Sequence, residues 1–337
     1  MSRERIVSDA TRLLTPSSGL SLDDVVQKYA TKTNLSRQIL QDPQDFSNEF
    51  WTQFQQYLVV DGSRLRVCHN LPIQHGDGPV YVFIHGLGGN MTQFEPLLRL
   101  LNELNEGFLA IDLPGFGYSE EWPKYDMLEI TKVVERVVHK LTERKKLVVV
   151  GHSMGCHVAM HFILNFDTEY SIRDMVFLSP PAPNLPQLNT LTARLGLFVL
   201  GNLPVLFDWY RIYFDQSKGL QSSGIMQFFH NDEPYRKLWQ FFYNVQIKSR
   251  SIVQYLRGWA PIDWSSKSFE RLNSTVIITG DVDPVTPLAT TKSFYAALES
   301  VRNRNLIILE GCSHNICFDS PKEVAQQFLT AVVDRHG

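Results

Sequence analysis

Six short runs of the chain are almost continuously apolar: VYVFIHG (80–86), FLAIDLPG (108–115), KLVVVGHS (146–153), MVFLSP (175–180), STVIITGD (274–281) and NLIILEG (305–311). Runs of this length without alternation are those of strands covered on both faces. Between them the apolar positions recur at helical spacing. Over 127–141, Ile130, Val133, Val134, Val137, Val138 and Leu141 share one helical face, with Asp126 and Glu129 placed as a capping pair. Over 321–334, Ser320 can cap, Pro321 takes the first helical position, and Val324, Phe328, Leu329 and Val332 form the stripe. Strands alternating with helices predict an α/β fold with a mostly parallel central sheet and helices on both faces.

Two further patterns flank this alternation. QYLVV and SRLRVC surround Asp61-Gly62, which predicts a hairpin ahead of the parallel strands. Residues 1–50 are polar and mostly helix-compatible, an N-terminal helical extension packed on the body. The alternation stops from Pro181 to Trp264, a segment holding 16 of the 39 aromatic residues. Strand patterns resume directly after it, so it reads as an inserted helical cap rather than a separate domain. The expected organisation is an extension over 1–50, the first part of an α/β core over 51–180, a cap over 181–265 and the second part of the core over 266–337.

Composition narrows the function classes. The chain has 337 residues, 44% hydrophobic and 20% charged, with a net charge of −3. A large core can form, and no basic surface for nucleic acid is expected. Cys68, Cys156, Cys312 and Cys317 make no CxxC pair and no metal-ligand spacing, which fits a reduced, intracellular, cytoplasmic protein. MSRERIVSDATRLL has no apolar h-region, no run of 18 apolar residues occurs, and DRHG is no retrieval ending. No transmembrane segment is expected, and peripheral membrane contact stays compatible with the sequence.

The candidate chemistry centres on Gly151-His152-Ser153-Met154-Gly155. This G-x-S-x-G follows the strand LVVV and precedes CHVAMHFIL, a possible helix, which is the strand-turn-helix context such a motif requires. A serine on a tight turn needs flanking glycines for room, and a helix N-terminus there favours developing negative charge. His85-Gly86-Leu87-Gly88-Gly89 follows another strand and can aim backbone N–H groups at a substrate oxygen. The N–H groups of Leu87 and Met154 are the expected oxyanion donors, with the His85 side chain bracing the loop.

A serine hydroxyl needs a base, and the base an orienting acid. Among ten histidines only His314 sits just after a late apolar strand. His152 lies inside the elbow, its side chain expected to point away from Ser153, and His139, His157 and His161 lie in predicted helices. In Gly280-Asp281-Val282-Asp283-Pro284, Asp283 is deeper in the loop and is the chosen acid, with Asp281 the alternate. All these positions fall at the carboxyl edge of the sheet, where ligands of α/β folds bind.

Taken together, HGLGG (85–89), DLPGFGYS (112–119), GHSMG (151–155), GDVDPVTP (280–287) and the His314 loop resemble the α/β-hydrolase superfamily over roughly 56–335. The likeness is to its capped branch of esterases, C–C hydrolases of meta-cleavage products and epoxide hydrolases. The resemblance implies Ser153, Asp283 and His314 as nucleophile, acid and base, Leu87 and Met154 as oxyanion donors, and a structural Asp112. Epoxide hydrolases and haloalkane dehalogenases carry aspartate where this chain has Ser153, which argues against those chemistries. His314 and Asp319 also match an H-x4-D spacing linked in some relatives to lysophospholipid acyl transfer.

The expected activity is cleavage of a carboxylic ester, with an apolar acyl or alcohol part, through an acyl-enzyme. No metal or organic cofactor is required. Phe228, Phe229, Trp239, Phe242 and Trp259 are the candidate pocket aromatics of the cap. C–C hydrolysis or acyl transfer on the same triad, and ligand binding without catalysis, are the competing readings.

Overall fold

A computed structural model describes residues 2–30, 34–72 and 78–335. Eight strands build one sheet: β1 (Gln55–Val60), β2 (Ser63–His69), β3 (Val80–Ile84), β4 (Gly107–Ile111), β5 (Lys146–His152), β6 (Ser171–Leu178), β7 (Ser274–Gly280) and β8 (Asn303–Leu309). Their order across it is β1-β2-β4-β3-β5-β6-β7-β8. β2 pairs antiparallel with both β1 and β4, and every other pairing is parallel. β3 is buried throughout, and its alternation feeds two cores: Tyr81 and Phe83 point to one face, Val80, Val82 and Ile84 to the other. The hairpin turn is the one its sequence predicts. Asp61 and Gly62 both take positive φ, 47° and 85°, and bring Val60 opposite Ser63.

Among the described residues four α-helices precede β1: α1 (Arg3–Thr11), α2 (Leu22–Ala30), α3 (Leu35–Gln41) and α4 (Glu49–Phe54). Helices α5 (Glu95–Glu103), α6 (Met127–Leu141) and α7 (Met154–Phe166) connect the first parallel strands. Between β6 and β7 the chain runs through α8 (Leu191–Asn202), α9 (Pro204–Tyr210), α10 (Ser223–Met226), α11 (Pro234–Gln246) and α12 (Ser249–Arg257). Helices α13 (Leu288–Ala297), α14 (Ile316–Asp319) and α15 (Pro321–Ala331) complete the fold.

The N-terminal helices wedge between core and insertion. The Trp51 indole N–H donates to the Glu95 carboxylate on α5 at 3.0 Å, and the Tyr235 hydroxyl on α11 donates to the Asp45 carbonyl at 3.0 Å. Phe46 stacks on Phe242 at 4.7 Å between centroids, and Trp51 meets Trp239 edge-on at 6.5 Å. Aromatic packing of this kind adds roughly 0.5–1.5 kcal/mol per pair beyond area burial, so the extension helps hold α11 in place.

Three local expectations change. NLIILEG is not covered on both faces, because β8 closes the sheet as an edge strand and leaves Ile308 44% exposed. Ser320 makes no cap bond; its hydroxyl accepts instead from the Asn231 side-chain N–H at 3.3 Å. Asp126 does cap α6 through the Glu129 N–H at 2.9 Å, but the Glu129 carboxylate turns to Lys132, so only half of the reciprocal pair forms.

Candidate active site

Ser153 stands between β5 and α7 with φ 52° and ψ −124°, a conformation of the kind that costs a non-glycine residue roughly 1–3 kcal/mol. The surroundings impose it. The Ser153 N–H donates to the Leu178 carbonyl of β6 at 2.9 Å, and its own carbonyl accepts from Cys156 at 2.9 Å. The motif glycines give the room expected of them: a Cβ on Gly155 would stand 2.1 Å from the Ile84 carbonyl oxygen of β3. The turn thus lifts the hydroxyl above the carboxyl edge of the sheet. Met154 opens α7, so its N–H has no acceptor inside the helix.

The loop after β3 comes up beside the serine. The Cβ position of Gly86 is 2.8 Å from Ser153 Cβ. A turn closes from the Gly89 N–H to the Gly86 carbonyl at 3.0 Å, with Gly88 at φ 69°, the positive value that a type II turn demands at its third residue. Leu87 is the second residue of that turn, whose N–H the turn itself leaves unbonded. His85 braces the loop: one ring nitrogen donates to the Gly86 carbonyl at 2.7 Å and the other accepts the Leu113 N–H at 2.9 Å. Burial holds the imidazole neutral, as this pattern of one donor and one acceptor requires. Asp112 accepts the N–H groups of Met91 at 2.7 Å and Tyr118 at 3.0 Å and pairs with Arg66 at 3.3 Å, tying neighbouring loops together.

Asp283 and His314 meet after β7 and β8. His314 Nδ1 lies 2.8 Å from Asp283 Oδ2, both side chains being almost fully buried. Asp283 also accepts the N–H groups of Val285 at 2.8 Å and Thr286 at 2.9 Å and the Thr286 hydroxyl at 2.7 Å. Burial alone would raise its pKa, but the hydrogen bonds and charge of His314 and the bonds from Thr286 outweigh it and hold the carboxyl at about 2. Because that lies below an unfolded carboxylate's value of about 4, Asp283 adds stability above that pH and loses it as pH falls toward 2. Asp281 is exposed, with one oxygen accepting the Gly311 N–H at 2.8 Å. The geometry separates the two aspartates and pairs only Asp283 with the histidine.

The pocket side chains divide. Ser153, Met154, Leu87, His314, Phe228 and Trp259 line one cavity of about 380 Å³. Phe228 stands edge-on to the His314 ring at 5.2 Å. The other three expected pocket aromatics do not line it. Phe229, Trp239 and Phe242 are buried in the core: α11 turns its aromatic face toward the N-terminal helices, so that Trp239 packs on Phe318 and Phe242 on Phe46, and Phe229 is buried in the connection ahead of α11. A second cavity of about 630 Å³ runs between residues 184–189, α8 and the end of α12 and shares Leu185, Leu256 and Trp259 with the first. Among the described residues no cluster of three His, Cys, Asp or Glu side chains could hold a metal ion.

Several supporting residues escape a motif-based reading. His152 is buried with a pKa lowered to about 3 by burial and by the neighbouring His314, and it donates to the His314 carbonyl at 3.0 Å. Thr286 bonds the acid and lies 3.2 Å from His314 Nδ1. Asp319, of the H-x4-D spacing, accepts the N–H groups of His230 at 2.9 Å, Asn231 at 2.7 Å and Ser313 at 2.7 Å. It stitches the His314 loop to the insertion. Its five-residue offset from His314 was visible, but not that three backbone donors converge on it.

Asp319→Ala would leave the buried Ser313 N–H without an acceptor, at about 1–3 kcal/mol, and release the N–H groups of His230 and Asn231, both in exposed residues, to water. The expected result is a loss of about 1–3 kcal/mol in urea unfolding together with a reduced kcat, whereas Asp319→Asn, which keeps one acceptor oxygen, loses less. Equal stability of Asp319→Ala and the parent would exclude this clamp role.

The description "Alpha/beta hydrolase family" belongs to the family model that matches residues 81–327. Lipid droplet hydrolase 1 of Saccharomyces cerevisiae is 36% identical over an alignment covering 95% of each chain. Among solved structures, the esterase EaEST of Exiguobacterium antarcticum superposes with TM-score 0.61 at 21% identity over 83% of this chain and 98% of its own. A membrane phospholipase A described as a bacterial virulence factor gives 0.64 at 18% identity over 93% and 96%. At such identities the two structures speak for the fold, and the family model together with the full-length relative places this chain in the alpha/beta hydrolase family.

Proposed function

We propose that this hydrolase cleaves carboxylic esters carrying an apolar, lipid-like acyl or alcohol part, with Ser153 as nucleophile, His314 as base and Asp283 as the acid that orients it. The observation that carries the reading is that His314, held through Nδ1 by the buried Asp283, lines the same cavity as a strained Ser153. Ser153 Oγ attacks the ester carbonyl as His314 Nε2 takes its proton, and the oxyanion settles on the N–H groups of Leu87 and Met154. His314 then protonates the departing alcohol, and water, activated by the same imidazole, releases the acid. Asp283 keeps the proton of the neutral ring on Nδ1 and offsets the imidazolium charge.

The lipid-like substrate class rests on two supports. The cavity walls are largely apolar around Phe228, Leu256 and Trp259, and the full-length relative in yeast is named for lipid droplets. Residues 181–265 act as the cap that roofs the site, and on this reading the chain works at lipid droplets rather than free in the cytoplasm. Hydrolysis of p-nitrophenyl esters of increasing chain length is the direct test. Vinylogous diketone and lysophospholipid–acyl-CoA pairs in the same panel separate C–C hydrolysis and acyl transfer, and absence of turnover on every substrate would reduce the chain to a binder.

Trp259 sits on the wall shared by the two cavities, so Trp259→Ala should join them. The kcat/KM ratio of long-chain to short-chain esters should rise on the order of 10-fold, the scale on which apolar pockets discriminate. An unchanged ratio in a folded variant would show that the acyl chain does not run past this side chain.

A further inference from the structure

The polarity of residues 191–214 is inside out. Helix α8 is apolar around most of its circumference, yet neither it, α9 nor the π-helical turn Arg211–Asp215 contains a buried residue. Helices apolar all round are ordinarily buried in a core or in lipid. Here Leu191 is 84% exposed, Trp209 54% and Tyr213 64%, with Leu195, Leu206 and Phe214 beside them in sequence and also exposed. Two of the three charged groups of the same stretch turn the other way. Asp208 accepts the Ser249 N–H at 3.3 Å, and Arg211 donates to the Asn244 carbonyl at 2.7 Å and to the Ser249 hydroxyl at 3.1 Å. A concentration of apolar side chains on this scale marks a contact surface.

The surface is continuous with the reaction site. Phe198, 58% exposed, also lines the 630 Å³ cavity, and that cavity shares Trp259 with the one holding Ser153. Arg194 and Arg257 line the same cavity, and among the described residues neither has an ion-pair partner. Tryptophan and tyrosine beside aliphatic side chains, with arginines at the edge, match the layering of a membrane interface. Among the described residues no single helix is long and apolar enough to cross a membrane: α8 and the stretch Pro204–Gln221 reach that length and composition only as a pair, the chain bends by 93° between them, and α8 alone is about 18 Å long against roughly 30 Å of hydrocarbon, a geometry that suits lying in an interface. A second copy seated on this face would seal the larger cavity, whereas a lipid surface opens onto it.

We propose that residues 191–214 lie in the plane of a phospholipid-covered lipid surface, and that the larger cavity admits lipid from that surface to Ser153. The proposal rests on the ester-hydrolase reading for what enters, and not for the docking itself. Leu206, Trp209 and Tyr213 line neither cavity, so a Leu206→Gln, Trp209→Ser, Tyr213→Ser variant should keep its rate on soluble p-nitrophenyl butyrate within about twofold. The full chain should float with phosphatidylcholine vesicles and with triolein droplets coated in phosphatidylcholine. The triple variant should lose most of that flotation and at least 10-fold in triolein hydrolysis. Ser153→Ala should float like the parent, which separates docking from chemistry: a silent enzyme that floats leaves the surface standing. Failure of the parent to float on either particle overturns the proposal. So does a dimer, seen by light scattering, that the triple variant breaks without any effect on flotation.

Discussion

Asp283→Asn is expected to lower kcat by about 10,000-fold while the fold persists, the scale set by an asparagine placed under a catalytic histidine in a serine protease. Asp283 Oδ1 accepts two backbone N–H groups, so an asparagine keeps its carbonyl there and turns its NH2 toward His314 Nδ1. The imidazole must then accept at Nδ1 and carry its proton on Nε2, where it can no longer take one from Ser153. The Thr286 hydroxyl, which donates to the same Oδ2, loses that bond but keeps the Ser179 carbonyl as an acceptor at 3.2 Å, so the added stability cost is at most of order 1 kcal/mol. Asp281→Asn is the control. That side chain is exposed and can still accept from Gly311, so its kcat should stay within about twofold. Ester kinetics and circular dichroism on both variants decide the matter. A crippled Asp281→Asn beside an active Asp283→Asn would reverse the assignment.

What could be read from the sequence follows a physical line. The inner parallel strands announce themselves because burial on both faces removes alternation, and the hairpin because Asp61-Gly62 is chemically suited to two positive φ values. The elbow was legible because strain and crowding demand glycine at fixed offsets from Ser153, and the structure supplies the obstacle each glycine avoids. Aromatics of the insertion between β6 and β7 carry no such mark. Phe228 and Phe229 are adjacent, yet one faces the cavity and the other the core, and only the path of the chain between α10 and α11 decides it. Trp239 and Phe242 are held by Trp51 and Phe46, 188 and 196 residues away, pairings no local pattern encodes. The outward apolar face of 191–214 was hidden for the same reason, since composition counts aromatics without saying which way they turn. Asp319 and His152 act through backbone groups of distant loops, so their roles emerge only when those loops are side by side.

Ser153→Ala is expected to cost on the order of a million-fold in kcat, leaving a residual rate about 1,000- to 10,000-fold above water from the oxyanion donors and binding alone. The N–H groups of Leu87 and Met154 belong to the backbone and survive the change, so ligands should still bind. Stability should move little, because alanine keeps a Cβ at φ 52° and the backbone bond to Leu178 remains. Ser153→Gly sharpens the argument. It removes the same hydroxyl but also the Cβ that makes this conformation costly, so it should be equally inactive and more stable than Ser153→Ala by about 1 kcal/mol, since relief of strain is partly offset by the greater freedom of glycine in the unfolded chain. Mass spectrometry after fluorophosphonate treatment should find one adduct, on Ser153, in the parent and none in either variant, and urea unfolding gives the stability order. An alanine variant that still turns over esters, or an adduct on another serine, would remove Ser153 from the mechanism. A glycine variant less stable than the alanine one would mean that the elbow is not strained, and that its glycines serve close packing against β3 rather than the projection of a hydroxyl.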